Sequence, residues 1–421
     1  MQYFEVTGGQ RLKGKVTISG AKNSALPIMA ACMLVEGKTS LHNVPDLADV
    51  RLMIDLLARL GVKSHRDDDG VLHLEVRDEK NVHAEYGLVS KMRASVCVMG
   101  PLLAKRKRAQ VSMPGGCAIG DRPIGLHIQG LTALGAEFEL RNGDVCLQSK
   151  QLIGREIFLG GPFGASVTAT ANVIMAATLA KGQTIIESAA CEPEIVDLAE
   201  FLNASGARIT GQGTPIVTID GVDSLTGTSH HVTPDRVEAG TFIIAAAITN
   251  GDVELVNAKP EHLGAVIDRL QRIGVIIERC KAGMIVSTSR RLEPVDITTQ
   301  PYPGFPTDLQ AQTMALLSLA DGNSTITEKI FPDRFMHVGE LNRMGAKLRK
   351  EGPTVIIEGV KNLIGAPVMA SDLRASAALV LAGLVATGTT QIRRTYHIDR
   401  GYERIEEKLT GLGANIKRLS E

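Results

Sequence analysis

The sequence predicts an α/β protein of two domains, built from six copies of one β-α-β-α-β-β unit with three copies in each domain. Three observations carry this. An amphipathic run ends at a glycine six times, at Gly61, Gly135, Gly206, Gly274, Gly345 and Gly413, and a short β-like stretch follows each. These glycines lie 74, 71, 68, 71 and 68 residues apart, so the period spans the whole chain. Each unit also holds a helix that is apolar around its full circumference and must be buried on every side.

In chain order, residues 4–18 read as strands ahead of the first unit. The apolar helices fall at 25–35, 95–104, 167–180, 240–249, 310–320 and 376–386. A strand follows each, as at 39–44 and 253–257, then the amphipathic helix, its glycine, and one or two further strands. At 421 residues the chain exceeds one core. The expected domains are 20–231, holding units one to three, and 1–19 with 232–421, holding units four to six. Three all-apolar helices packed together place helices inside and sheets outside. The chain is expected to cross between domains near Ser19-Gly20 and at Ser229 to Pro234, with the first strands joining the second half.

Lys plus Arg and Asp plus Glu both total 46. This balance argues against a nucleic-acid partner, which a basic face would serve. No apolar run reaches the roughly 18 residues of a membrane span, and the start lacks an apolar signal region, so no membrane partner is expected. Six scattered cysteines without CxxC spacing read as reduced thiols of a cytoplasmic protein. The ten histidines show no ligand spacing and no HExxH, so neither metal nor cofactor is expected. Gly160-Gly161-Pro162-Phe163-Gly164 lacks a Walker lysine and Rossmann spacing and reads as a turn.

Charge returns at two strand-to-helix junctions. At the first, Met92-Arg93-Ala94-Ser95 and Leu373-Arg374-Ala375-Ser376 are nearly one tetrapeptide, with Lys22-Asn23, Asp235-Arg236 and Thr307-Asp308 at the same place in other units. At the second, Asp121-Arg122, Asp333-Arg334 and Asp399-Arg400 recur, each arginine 11 or 13 residues before the marker glycine. Free N–H groups and the macrodipole favour anions at helix N-termini, and arginine or lysine there adds charge-assisted contacts to phosphate or carboxylate. A single Asp-Arg pair can equally be an N-cap beside a local ion pair. The repetition points to an anion site.

The second unit carries a surplus of residues between its strand and its marker glycine: Gly115-Gly116-Cys117-Ala118-Ile119-Gly120. A long glycine-rich loop in a regular repeat reads as functional, and Arg122 five residues on favours thiolate character at Cys117. The alternative is an inert loop cysteine. Cys32, Cys97, Cys146, Cys191 and Cys280 read as packing residues.

Asp-Leu-Arg-Ala-Ser-Ala (372 to 377), His-Ile-Asp-Arg-Gly-Tyr-Glu-Arg-Ile-Glu (397 to 406), Phe-Pro-Thr-Asp (305 to 308), Arg-Phe-Met-His (334 to 337), Gly-Ala-Lys-Asn (20 to 23) and the Pro-Gly-Gly-Cys loop strongly resemble the enolpyruvyl transferases, over essentially the whole chain. The resemblance implies their two-domain fold, an inside-out α/β barrel, with substrates closing the cleft between domains. It implies transfer of enolpyruvyl from phosphoenolpyruvate to the 3'-OH of UDP-N-acetylglucosamine, with release of phosphate, in peptidoglycan synthesis. Carried onto matching positions, Lys22, Arg122 and Arg400 would hold the phosphate, Arg374 with Arg400 the carboxylate, and Arg93 would complete the anion-binding wall. Asp308 would accept the hydroxyl proton and Cys117 would protonate C3 or add covalently. Asn23 would bind the sugar. Arg122, Pro123, Ile124, Gly125, Leu126 and Ile330 would line the nucleotide and sugar pockets, and Arg334 would be a cleft residue. Gly125 stands where relatives often carry Asp, and Pro162-Phe163 is a further departure. The rivals are the shikimate-pathway enolpyruvyl transferases, which lack the cysteine loop, a silent anion-binding scaffold, and a redox-sensing thiol.

Overall fold

The computed structural model describes residues 2–114, 123–288 and 291–420. All six marker glycines have positive φ, at +82°, +98°, +106°, +108°, +89° and +95° in chain order. L side chains meet steric resistance there, which is why the position is glycine in every copy. In five copies the glycine N–H returns to the third residue before it, and the next N–H reaches the fifth residue before itself, as in Ala207 N to Leu202 O at 3.0 Å. That is the Schellman ending, and its apolar pair is buried each time, as with Leu202 and Ala207 or Leu270 and Val275. A second positive-φ series links each apolar helix to its strand: Gly37, Lys107, Gly182, Asn250, Gly322 and Gly388. The basic turn at Lys105 to Arg108 is therefore the place where Lys107 does what glycine does in other copies.

Among the described residues, six four-stranded sheets share one pattern. In one, Ile297–Thr298 runs parallel to Asn323–Thr327, which pairs antiparallel with Thr354–Glu358, itself antiparallel to Lys347–Glu351. Alternation along these strands sends every second residue inward, as with Ser324 and Ile326. The N-terminal strand Gln2–Thr7 fills the third place in the sheet of Pro367–Met369, Thr389–Arg393 and Asn415–Ser420. Lys13–Thr17 is the parallel edge strand beside Asp252–Val256, and Ser229–His231 the parallel edge strand beside Lys38–His42.

The chain forms two compact units that divide between Ser19 and Gly20 and between Thr233 and Pro234. Each has its own apolar core. In the unit of residues 2–19 and 234–420, helices Arg236–Ile248, Gln310–Leu317 and Leu373–Val385 pack on one another and are buried almost throughout. In the unit of 20–114 and 123–233, the corresponding elements are Lys22–Ala31, the 3-10 segment Arg93–Val98 with Met99–Arg106, and Val167–Ala177. With only 3% aromatic residues, helices of alanine, glycine and valine reach core density by approaching closely. A Cβ on Gly100 would stand 2.4 Å from the Asn172 carbonyl oxygen, so glycine is required at that crossing. Asn172 repays its burial there by accepting from Gly100 N at 2.8 Å and donating to Val96 O at 2.9 Å.

Candidate active site

In the unit of residues 2–19 and 234–420, the apolar helices present polar N-termini. Asp235 caps Arg236–Ile248, accepting from Val237 N and Glu238 N at 2.7 and 3.1 Å. Asp372 caps Leu373–Val385 in the same way, through Arg374 N at 2.7 Å and Ala375 N at 3.1 Å. Gln310–Leu317 is entered through the short turn Thr307–Leu309, which carries Asp308.

Three expected residues meet here. Arg334 Nη1 donates to Asp308 Oδ1 at 2.8 Å, and Arg374 Nη2 donates to Asp308 Oδ2 at 3.4 Å. Arg374 is 1% exposed, the largest fully buried side chain described, and among the described residues its Nε and Nη1 meet no hydrogen-bond acceptor. Its guanidinium lies over the Tyr402 ring, 5.2 Å from the centroid. Burial works against the charge, but Tyr402, Asp308 and Asp235 outweigh it and hold the guanidinium more firmly protonated than usual. Arg334 is similar: burial opposes its charge, while Asp308 and Asp372 raise its pKa. A desolvated cation with unfilled donors is a site for an anion.

Ile330 follows the strand Asn323–Thr327, its N–H donating to Glu328 Oε1 at 2.8 Å. Arg400 closes the 3-10 segment Thr395–Arg400, where burial, then Arg400, lowers the pKa of His397 while Asp372 raises it. The second junction differs from the sequence expectation. Asp333 lies in a turn and Arg334 just after it, ahead of His337–Arg343, and Arg400 precedes a helix that starts only at Ile405, so neither pair caps a helix. Asp399 instead binds Arg418 in a two-pronged ion pair at 2.9 and 2.6 Å. The free N–H groups of a helix N-terminus are therefore not what Arg334 and Arg400 supplement.

In the other unit, Lys22 is the first residue of Lys22–Ala31, is 7% exposed, and reaches Asp49 Oδ2 at 3.0 Å. Asn23 beside it is exposed. Arg93 opens Arg93–Val98, which packs on Lys22–Ala31, and donates from Nη2 to Pro123 O at 3.3 Å. Pro123 is exposed and Ile124 buried, and Gly125 and Leu126 begin helix Gly125–Ala133. The Gly160–Gly161 strand turns back on Gly164–Ala165, and a Cβ on Gly161 would stand 3.0 Å from Leu126 Cδ1, so the glycine turn supports that segment. Cys117 and Arg122 lie outside the described residues. Cys32 and Cys97 are buried with thiols pushed up to about 12, mainly by burial, as packing cysteines should be.

Sequence reasoning passed over Asp49, Glu328, His337 and Tyr402. His337 and Tyr402 lie within the quoted motifs and Glu328 lies outside them, but a carboxylate after a strand and a histidine opening a helix carry no spacing signal of their own. Only the fold shows that they are buried beside charge.

A sequence profile described as EPSP synthase (3-phosphoshikimate 1-carboxyvinyltransferase) matches residues 6–409, and the chain belongs to this family of enolpyruvyl transferases. Within it, the chain is similar to a UDP-N-acetylglucosamine 1-carboxyvinyltransferase of Methylacidiphilum infernorum, 52% identical over 100% of this chain and 99% of the relative. A protein of Carboxydothermus hydrogenoformans named UDP-N-acetylglucosamine 1-carboxyvinyltransferase 2 is 53% identical, with both chains covered in full. Among solved structures, the enolpyruvyl transferase NikO from Streptomyces tendae matches with TM-score 0.88 at 24% identity over 100% of this chain and 99% of that one. An EPSP synthase from Acinetobacter baumannii matches with TM-score 0.77 at 22% identity, both chains covered in full. The chain has their mixed α/β enolpyruvyl transferase fold.

Proposed function

We propose that this protein transfers the enolpyruvyl group of phosphoenolpyruvate to the 3'-OH of UDP-N-acetylglucosamine, releasing phosphate, as the first committed step of peptidoglycan synthesis in the cytoplasm. The relatives' names supply the substrate, and one observation carries the chemistry: the buried guanidinium of Arg374, with two nitrogens unfilled among the described residues, beside Asp308. A carboxylate could take those donors as a charge-assisted pair. We assign phosphate binding to Lys22, Arg122 and Arg400, carboxylate binding to Arg374 with Arg400, and a supporting cation to Arg93. The six sheets of common pattern support the reading of six repeated units, three in each domain. Asn23, Pro123, Ile124, Gly125, Leu126 and Ile330 are assigned to the sugar and uridine.

In this reading Cys117 gives a proton to C3 of phosphoenolpyruvate, which leaves C2 electrophilic. The sugar 3'-oxygen bonds to C2 as its proton passes to Asp308. Asp308 suits this role: Arg334 and Arg374 fix its orientation, and 27% of its side chain remains exposed to receive a hydroxyl. The tetrahedral phosphate ketal then loses a C3 proton and expels phosphate with the C–O bonding electrons, giving the enol ether. Cys117 can also add to C2 in place of the sugar.

The test is phosphate release from phosphoenolpyruvate with and without UDP-N-acetylglucosamine. Release that requires the nucleotide sugar is expected. Release with shikimate 3-phosphate and none with the nucleotide sugar would transfer the chain to the rival branch of the family.

A further inference from the structure

We propose that Glu328 is a positioning residue that ties the Ile330–Phe331 turn to Asp308; the inference rests on the enolpyruvyl transfer proposed above. Glu328 is fully buried and follows the strand Asn323–Thr327. Its Oε1 accepts from Thr299 Oγ1 at 2.6 Å, Ile330 N at 2.8 Å and Phe331 N at 3.0 Å. Its Oε2 accepts from Thr307 Oγ1 at 2.8 Å. Among the described residues its partners are thus two hydroxyls and two backbone amides, with no cation. Burying a carboxylate is costly, and these four donors are what offset it.

The arrangement fixes the direction of each hydrogen bond. A threonine hydroxyl has one proton, and that of Thr307 is committed to Glu328. Its lone pairs therefore face Arg334, whose Nη1 donates to Thr307 Oγ1 at 3.1 Å and to Asp308 Oδ1 at 2.8 Å. Glu328 thus orients Thr307, Thr307 and Asp308 together seat Arg334, and Arg334 aims Asp308. The same carboxylate fixes the turn assigned to the sugar nucleotide through Ile330 and Phe331. One buried group therefore holds both the acceptor's pocket and the group that takes its proton.

Glu328→Gln reverses one link with little change in shape. Two backbone N–H groups oblige the amide oxygen to stay at the Oε1 position, so the NH2 must face Thr307 and donate to it. The Thr307 proton then turns toward the Arg334 side, where a donor already stands. The expected result is a fall in kcat of at least about tenfold, with KM for phosphoenolpyruvate within about threefold of wild type, because the carboxylate-binding Arg374 is untouched. Thr307→Val should show the same split, and Thr307→Ser, which keeps the hydroxyl, should restore most of kcat.

A purely structural role would lower the melting temperature and the fraction of active enzyme, and would not separate kcat from KM. If Glu328→Gln fails to fold, the Thr307→Val and Thr307→Ser pair decides alone. Wild-type kcat in Thr307→Val, or equal losses in the valine and serine variants, would overturn the inference while leaving the enolpyruvyl transfer intact. Wild-type protein that releases no phosphate with UDP-N-acetylglucosamine would overturn both.

Discussion

His337 should make this protein acid-labile, by an amount that can be worked out. The imidazole opens helix His337–Arg343, is 1% exposed, and among the described residues has no hydrogen-bond partner on either ring nitrogen. Burial lowers its pKa from 6.5 to about 4, with Asp372 pulling it up and Arg334 pushing it down. The folded-state pKa therefore lies below the unfolded one, and between them the unfolded chain binds more protons. Stability from the neutral imidazole is complete above about pH 6.5 and is lost as pH falls. The loss is roughly 2 kcal/mol at pH 5 and approaches about 3 kcal/mol near pH 4. Replacing His337 with Leu removes the titration and leaves no donor or acceptor unsatisfied that was satisfied before. Urea unfolding of both proteins at pH 7 and pH 5 should show the wild type losing about 2 kcal/mol more than the variant. His397, whose pKa is also lowered, is common to both and cancels. Parallel pH profiles for the two proteins would refute a neutral, buried His337.

Three other outcomes are expected. Arg374→Lys keeps the charge but loses the planar fork, and kcat/KM for phosphoenolpyruvate should fall by about 100-fold or more in steady-state assays. Cys117→Ser should suppress turnover while UDP-N-acetylglucosamine binding, followed by calorimetry, persists; Cys117→Asp should keep activity and resist alkylation by an epoxide phosphonate. Gly206→Ala meets no atom within 4 Å but forces alanine to φ +106°, so a loss of about 1–2 kcal/mol in denaturant unfolding isolates the backbone term.

The helix endings were legible because their cause is local. A glycine at positive φ with an apolar residue on either side favours a Schellman turn without help from the rest of the chain; the periodic glycines mark six helix ends, and five of them show that turn. The all-apolar helices were legible for a similar reason, since a helix with no polar face has nowhere to lie except a core. The second junction was misread because Asp-Arg in sequence does not say whether the aspartate caps a helix or pairs elsewhere. Asp399 pairs with Arg418, nineteen residues away, through a strand contact that local sequence cannot show.

The glycine spacing, the helix ends, the buried helices and the inventory of cations could be read along the chain, because each follows from backbone sterics, hydrophobic periodicity or charge. Tertiary structure alone decided which of those charges are buried and what they face. It seated the Arg374 guanidinium over the Tyr402 ring with donors unfilled among the described residues, set Arg334 against Asp308, and surrounded Glu328 with hydroxyls and amides. Desolvation and hydrogen-bond direction depend on atoms brought together from distant segments, and no window of sequence contains them.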